Sequence, residues 1–163
     1  MSGISAPAHN RAFVSMPDDG APFGVAGDVM IIRARGADTG GSLCLVEARV
    51  PPGGGPPRHV HRREAESFFV LEGEITFLHP NGSTRLGPGG FVHLPKNTPH
   101  AFQNQGDIEA RMLVWCTPAG FEHMVERAGT PLPDRHAPAP PPTPDDFATL
   151  RNVCDELEIS FVD

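Results

Sequence analysis

Residues 53–104 read GGGPPRHVHRREAESFFVLEGEITFLHPNGSTRLGPGGFVHLPKNTPHAFQN, and the reading of this stretch decides the fold. His59 and His61 are two apart, so on a strand both imidazoles leave the same face and can converge on one ion. Glu66 follows His61 at an odd offset, which on an unbroken strand would send its carboxylate to the opposite face. A corner over 62–65 therefore has to reset the direction. Beyond it Phe68 and Val70 share the face of Glu66, and Gly73 ends the strand. Further on, ITFLH (75–79) and STRL (83–86) read as the two arms of a hairpin closed at Asn81-Gly82.

At every specified position, Gly53-x5-His59-x-His61-x4-Glu66-x6-Gly73 resembles the first motif of the cupin superfamily. Two registers compete for the second motif. Gly82, Pro88, Gly90, His93 and Asn97 satisfy it literally, but that register begins inside the hairpin turn. Gly89, Pro95, His100 and Asn104 start after the hairpin is complete, and depart only in having Asn97 where the pattern has glycine. This form resembles the bacterial variant P-x-N-x-P-H-x-F-x-N, so the fourth ligand is carried onto His100, with His93 as the literal alternative.

The resemblance extends over roughly residues 27–130, where TGGSLCLVEARV, LPKNTPHAFQN and TPAGFEHMVERAG look like single-domain bacterial cupins grouped with quercetin 2,3-dioxygenase. It implies an all-β fold: a double-stranded β-helix, or jelly-roll barrel, with short C-terminal helices. It also implies a homodimer, a metal held by His59, His61, Glu66 and His100, and dioxygen chemistry in active members. The substrate is not implied, because the fold hosts many reactions and also non-enzymes.

At 163 residues the chain is most simply one domain with room for a sizeable core. It contains no run of about 18 apolar residues, so no membrane span is expected. MSGISAPAHNRAF lacks the apolar centre of a secretory signal, and a cytoplasmic location is expected. Thirteen basic against twenty acidic residues give a net charge of −7, and nucleic acid is not an expected partner. Cys44, Cys116 and Cys154 are odd in number and lack metal-type spacing; buried, reduced thiols are expected. Although there are 18 Gly and 19 Pro, they cluster at 51–57 and 131–144, which suits many short strands and one Pro-rich linker.

Three segments follow. Residues 1–27 form an N-terminal arm, 28–129 the barrel with a short helix, and 130–163 a Pro-rich linker and C-terminal helix. Strands are expected at 29–35, 42–50 and 110–117, and a short helix at 121–129 that ends on Gly129. Thr143 reads as an N-cap with Pro144 at the first helical position and acids in the first turn. Phe147, Leu150, Val153, Cys154 and Leu157 then form one apolar face that needs a partner.

Three imidazoles and one carboxylate leave a divalent ion with net positive charge and two open positions in a six-coordinate site. That suits Fe, Mn, Ni or Co, with Zn as a further candidate. Phe68, Val70, His93 and Phe102 are the expected pocket residues, and Glu66 is the expected catalytic group, able to take a proton from substrate. The leading expectation is a quercetinase-like dioxygenase acting on a small enolic or phenolic compound, with substrate and O2 side by side. One alternative is a metal-dependent isomerase, cyclase or lyase without O2, with His93 as its acid or base; the other is a non-catalytic small-molecule-binding protein.

Overall fold

The computed structural model describes residues 11–163; the first ten residues of the expected arm, with His9, lie outside the described residues. The remainder of that arm contains a strand that its composition did not announce. β1 (Ala21–Val25) and β2 (Asp28–Ala34) form a hairpin in which Val25 pairs with Asp28. Its two-residue turn, Ala26 and Gly27, has φ of 50° and 96°, the mirror-image turn whose twist matches that of the strands.

The short helix α1 (Gly36–Thr39) leads to β3 (Cys44–Val50), and β4 (His59–His61) follows the Pro/Gly run. Next come β5 (Ala65–Glu72), β6 (Ile75–His79), β7 (Gly82–Leu86), β8 (Phe91–Leu94), β9 (Ala101–Gln103) and β10 (Ala110–Thr117). The chain closes with α2 (Glu122–Ala128), β11 (Thr130–Pro131), α3 (Pro144–Glu156) and β12 (Ile159–Phe161). Strand β10 has the bounds expected for it, and β5 stops where Gly73 takes φ +71° against the Ala110 backbone. Arms β6 and β7 pair from Ile75↔Leu86 to His79↔Gly82, so the hairpin turn is Pro80-Asn81, one residue earlier than read.

The expected jelly-roll barrel is not what these strands build. They make three open antiparallel sheets, ordered β11-β1-β2-β3-β10-β5-β8, β12-β4 and β7-β6-β9, and none of them closes on itself. The physical cause lies in the connections. PPGGGPP (51–57) withholds ladder donors and side-chain packing, and β4 and β9 are three residues each. These two segments meet through a single bridge, from His59 of β4 to His100, the residue ahead of β9.

The inner faces still share one core. Val46, Ala48 and Val50 of β3, Met112 and Val114 of β10, Phe68 and Val70 of β5, Phe77 of β6 and Phe102 of β9 pack together, all buried. Burial of this much apolar surface is the main stabilising contribution. On the opposite face of the large sheet, Glu47 is buried and accepts from Arg33 (3.1 Å), Arg111 (3.3 Å) and Arg135 (2.8 Å). Arg135 sits in the Pro-rich linker, and Arg49 donates to the carbonyls of Arg135 and Ala137. The linker is thereby fastened along the sheet and delivers α3.

Helix α3 starts with the expected cap: Thr143 Oγ1 accepts from the Asp146 N–H while the Asp146 carboxylate accepts from Thr143. Val153 and Cys154 are buried, and Leu150 and Leu157 pack on the core. Phe147, at the start of the stripe, is 50% exposed. Cys44 and Cys116 face each other across β3 and β10, and all three thiols are free and buried.

Candidate metal centre

Four side chains converge at one point. One ligand atom from each of His59, His61, Glu66 and His100 lies within 4.8 Å of every other, and all four residues are buried. Strand β4 aims both of its imidazoles to one side, and the corner over Arg62–Glu64 returns the chain so that Glu66 reaches the same point. His100 arrives by a separate route: its N–H donates to the His59 carbonyl and the His59 N–H to its own, both at 2.9 Å. Asn97, with φ +63°, turns the chain ahead of it and donates its N–H to the His61 carbonyl at 2.8 Å.

The outer nitrogen of each ring is engaged. His59 Nδ1 donates to the Pro57 carbonyl (2.9 Å), His61 Nδ1 to Glu64 Oε1 (2.8 Å) and His100 Nδ1 to the Thr98 carbonyl (2.9 Å). These bonds fix the tautomers, so the three Nε2 atoms turn their lone pairs inward, as metal-ligating imidazoles do. Glu66 Oε2 lies 2.8 Å from His100 Nε2, 3.2 Å from His61 Nε2 and 4.0 Å from His59 Nε2. His61 Nε2 is buried with no well-aligned hydrogen-bond partner. A buried orphan is costly, and a cation at the centre would satisfy it; the donor set fits a divalent transition metal.

Without a cation, protons take up the charge. Burial raises the Glu66 carboxyl, but His61 and His100 together outweigh that and hold it well below the usual carboxylate range. Burial depresses His61, yet Glu66 and Glu64 beside it lift it to about 10. His59 is pushed down to about 4 by burial, against a partial offset from Glu66.

The cluster borders a cavity of about 540 Å³, reached by His59, His61 and Glu66. Its remaining walls come from Phe102 of β9, Phe121 before α2, Leu150 and Arg151 of α3, and Phe161 of β12, among others. Of the pocket residues expected from sequence, Phe102 borders this cavity. Phe68 and Val70 are packed in the core, with Phe68 edge-on to His100 at 6.3 Å. His93 is exposed on β8, with Nδ1 2.8 Å from Ser67 Oγ, next to the stacked Phe91 and Trp115. It stands on the outer face of the sheet, not in the cavity. Asn104 fastens backbone, donating to the Val50 and Ile108 carbonyls.

Sequence reasoning misplaces one residue, Glu64, and misses another, Asp28. Glu64 reads as a solvated charge but is 4% exposed, because the corner folds it back onto His61; its signal is the three-residue offset from that histidine. Asp28 opens β2 and lines the cavity. It is 4% exposed, and its Oδ1 is buried with no hydrogen-bond partner. Burial raises its carboxyl from 3.8 to about 7, offset only in part by the Gly55 N–H.

Residues 46–116 match the Cupin_2 family, a cupin domain. Quercetin 2,3-dioxygenase of Bacillus subtilis (strain 168) is 29% identical over 110 residues, covering 68% of this chain and 32% of that protein. The probable oxidoreductase virH of Hypocrea virens is 36% identical over 78 residues, covering 44% of this chain and 34% of that protein. The chain thus spans about a third of each of these relatives. A predicted oxalate decarboxylase of Thermotoga maritima superposes with a TM-score of 0.60 at 17% identity, over 65% of this chain and 99% of that one. The chain accordingly has a cupin-like fold, and the match to the cupin-domain family falls on residues 46–116.

Proposed function

We propose that the protein is a metal-dependent enzyme of the isomerase, cyclase or lyase kind, acting without O2 on a small chelating compound. His59, His61, Glu66 and His100 are the proposed ligands, and iron, manganese, nickel or cobalt, with zinc as a further candidate, the proposed ion. A divalent ion held there would supply Lewis-acid polarisation of a substrate oxygen. The observation that carries the reading is that this cluster forms one wall of a cavity whose other walls hold ionisable groups which are not ligands. Reactions that move protons need such groups, whereas binding alone does not.

The roles of the chain's own residues follow from position. Phe102, Phe121 and Phe161 exclude water and lower the local dielectric, which strengthens every charge interaction inside. Glu64 and the Pro57 and Thr98 carbonyls hold the imidazoles in place. Glu66, tied to two histidines, serves as a ligand in preference to a mobile base. A second reading, a dioxygenase on a flavonol-like compound, is favoured by the likeness to the Bacillus subtilis enzyme.

The test is elemental analysis of protein purified without added metal, then turnover of hydroxy- and keto-carboxylates with and without air, and oxygen uptake with a flavonol. Stoichiometric transition metal and equal turnover in both atmospheres are expected. Oxygen consumption coupled to flavonol loss would overturn the proposal in favour of the second reading.

A further inference from the structure

We propose that Asp28 is the acid–base group of this cavity, exchanging a proton with a small hydroxy- or keto-carboxylate that binds against the ligand cluster. The inference rests on the metal-centred reading above and deepens it. Its geometric basis is independent of the ligands: Asp28 lines the same cavity from β2, which belongs to a different sheet from the HVH strand.

The position is built to hold a bare carboxyl. The two-residue turn Ala26-Gly27 fixes the start of β2, with Val25 and Asp28 as its closing pair. On the other side, a Cβ on Gly54 would come within 2.5 Å of Asp28 Oδ1, so a residue without a side chain leaves the carboxyl its room. Even so, Oδ1 has no donor. A buried carboxylate whose one donor is the Gly55 N–H is costly, and a structural role would have supplied an arginine or a run of N–H groups, as Glu47 and Glu122 receive elsewhere in this chain. A buried ionisable group that lines a cavity with one oxygen left without a donor is a candidate for proton transfer.

The other charged or titratable groups on the cavity, beyond the cluster, are Arg58, Arg151, Cys154 and Asp163. Arg58 donates to the Asp163 carbonyl at 3.4 Å, and Arg151 makes no ion pair among the described residues. Two guanidinium groups and a cation site against one rim carboxylate favour an anionic substrate. A carboxylate with an adjacent hydroxyl or carbonyl is the small anion that also chelates. In the proton step, the C–H bond beside the carbonyl breaks and its electron pair becomes a C=C bond. The carbonyl π pair moves to oxygen, and the proton goes to Asp28 Oδ1. Where the deprotonated carbon bears a hydroxyl, its O–H proton passes to the former carbonyl oxygen and its oxygen pair forms the new C=O. The C=C pair takes the proton back from Asp28 onto the former carbonyl carbon, which completes an isomerisation and restores the carboxylate.

Two measurements test this. In metal-free wild-type protein in heavy water, infrared spectroscopy should find a carboxylic-acid C=O band that disappears with a midpoint near neutral pH and is missing from Asp28→Asn. Calorimetry on nickel-loaded protein, with oxalate as the probe, should find wild-type affinity falling by up to about tenfold per pH unit above neutrality as the donor is lost. Asp28→Asn, which keeps an N–H donor, should lack that component. Absence of the band, or equal pH slopes in the two proteins, overturns the proposal. Because the infrared titration needs neither metal nor turnover, its failure leaves the metal-centred reading standing, and failure to bind nickel leaves the Asp28 titration standing.

Discussion

Asp28→Asn is expected to gain stability relative to wild type as pH rises from acid to alkaline, in chelator-treated protein. The native carboxyl is lifted from 3.8 to about 7, so between those values the native state holds a proton that the unfolded chain has released. Stability therefore falls as pH climbs through that window, and the full loss is present above it. Three units at about 1.4 kcal/mol each put the loss on the order of 4 kcal/mol, an upper bound because water entry and local relaxation soften it. Asparagine has a burial cost of its own, but that cost does not vary with pH, and the other titrating groups are common to both proteins. Urea unfolding followed by circular dichroism, on both proteins from about pH 4 to pH 8.5, gives the difference directly. A difference that stays constant across this range, or that grows in favour of wild type, would show that the carboxylate is solvated or paired.

Three further outcomes are expected. His100→Ala should retain its circular dichroism spectrum but lose most bound transition metal by elemental analysis, since it removes a ligand while the backbone bridge to His59 stays; full metal retention would place the fourth ligand elsewhere. Glu64→Gln should weaken metal affinity by roughly 10- to 100-fold in a chelator competition, because the carboxylate orients His61. Gly55→Ala should destabilise the protein by more than about 2 kcal/mol in urea melts, since Gly55 has φ +120° and a Cβ there would sit 2.1 Å from the Phe102 carbonyl oxygen.

What the sequence made legible is what one segment encodes by itself. The parity of His59 and His61, the corner before Glu66, the hairpin arms at 75–79 and 83–86 to within one residue, and the Thr143 cap with Pro144 all follow from local periodicity and turn chemistry. Wherever two distant segments decide the outcome, periodicity is silent. Parity on β8 puts His93 with Phe91, but it does not say which face of the sheet turns inward, and the exposure of both, with Phe91 stacked on Trp115, shows that theirs turns outward. Phe68 has the parity of Glu66, yet neighbours on one strand face are about 7 Å apart, enough for one to border the cavity while the next is sealed beneath Phe77 and Phe102.

The expected barrel failed for a related reason. Alternation along a strand says which side chains turn inward, but closure depends on unbroken pairing between strand edges, and the same prolines and glycines that carry the chain to His59 interrupt that pairing. What takes its place is side-chain packing: α3 and β12 cover the cavity beside β4, and His59 meets His100 through a single bridge. Asp28 lines the same cavity from β2, and nothing around it in the sequence DVMIIRA distinguishes it from an ordinary solvated residue at a strand start. Its burial comes from Gly54 and Gly55, more than 20 positions away. Those glycines belong to the run that interrupts the ladder, so one local feature both leaves the sheets open and gives the carboxyl its place in the cavity.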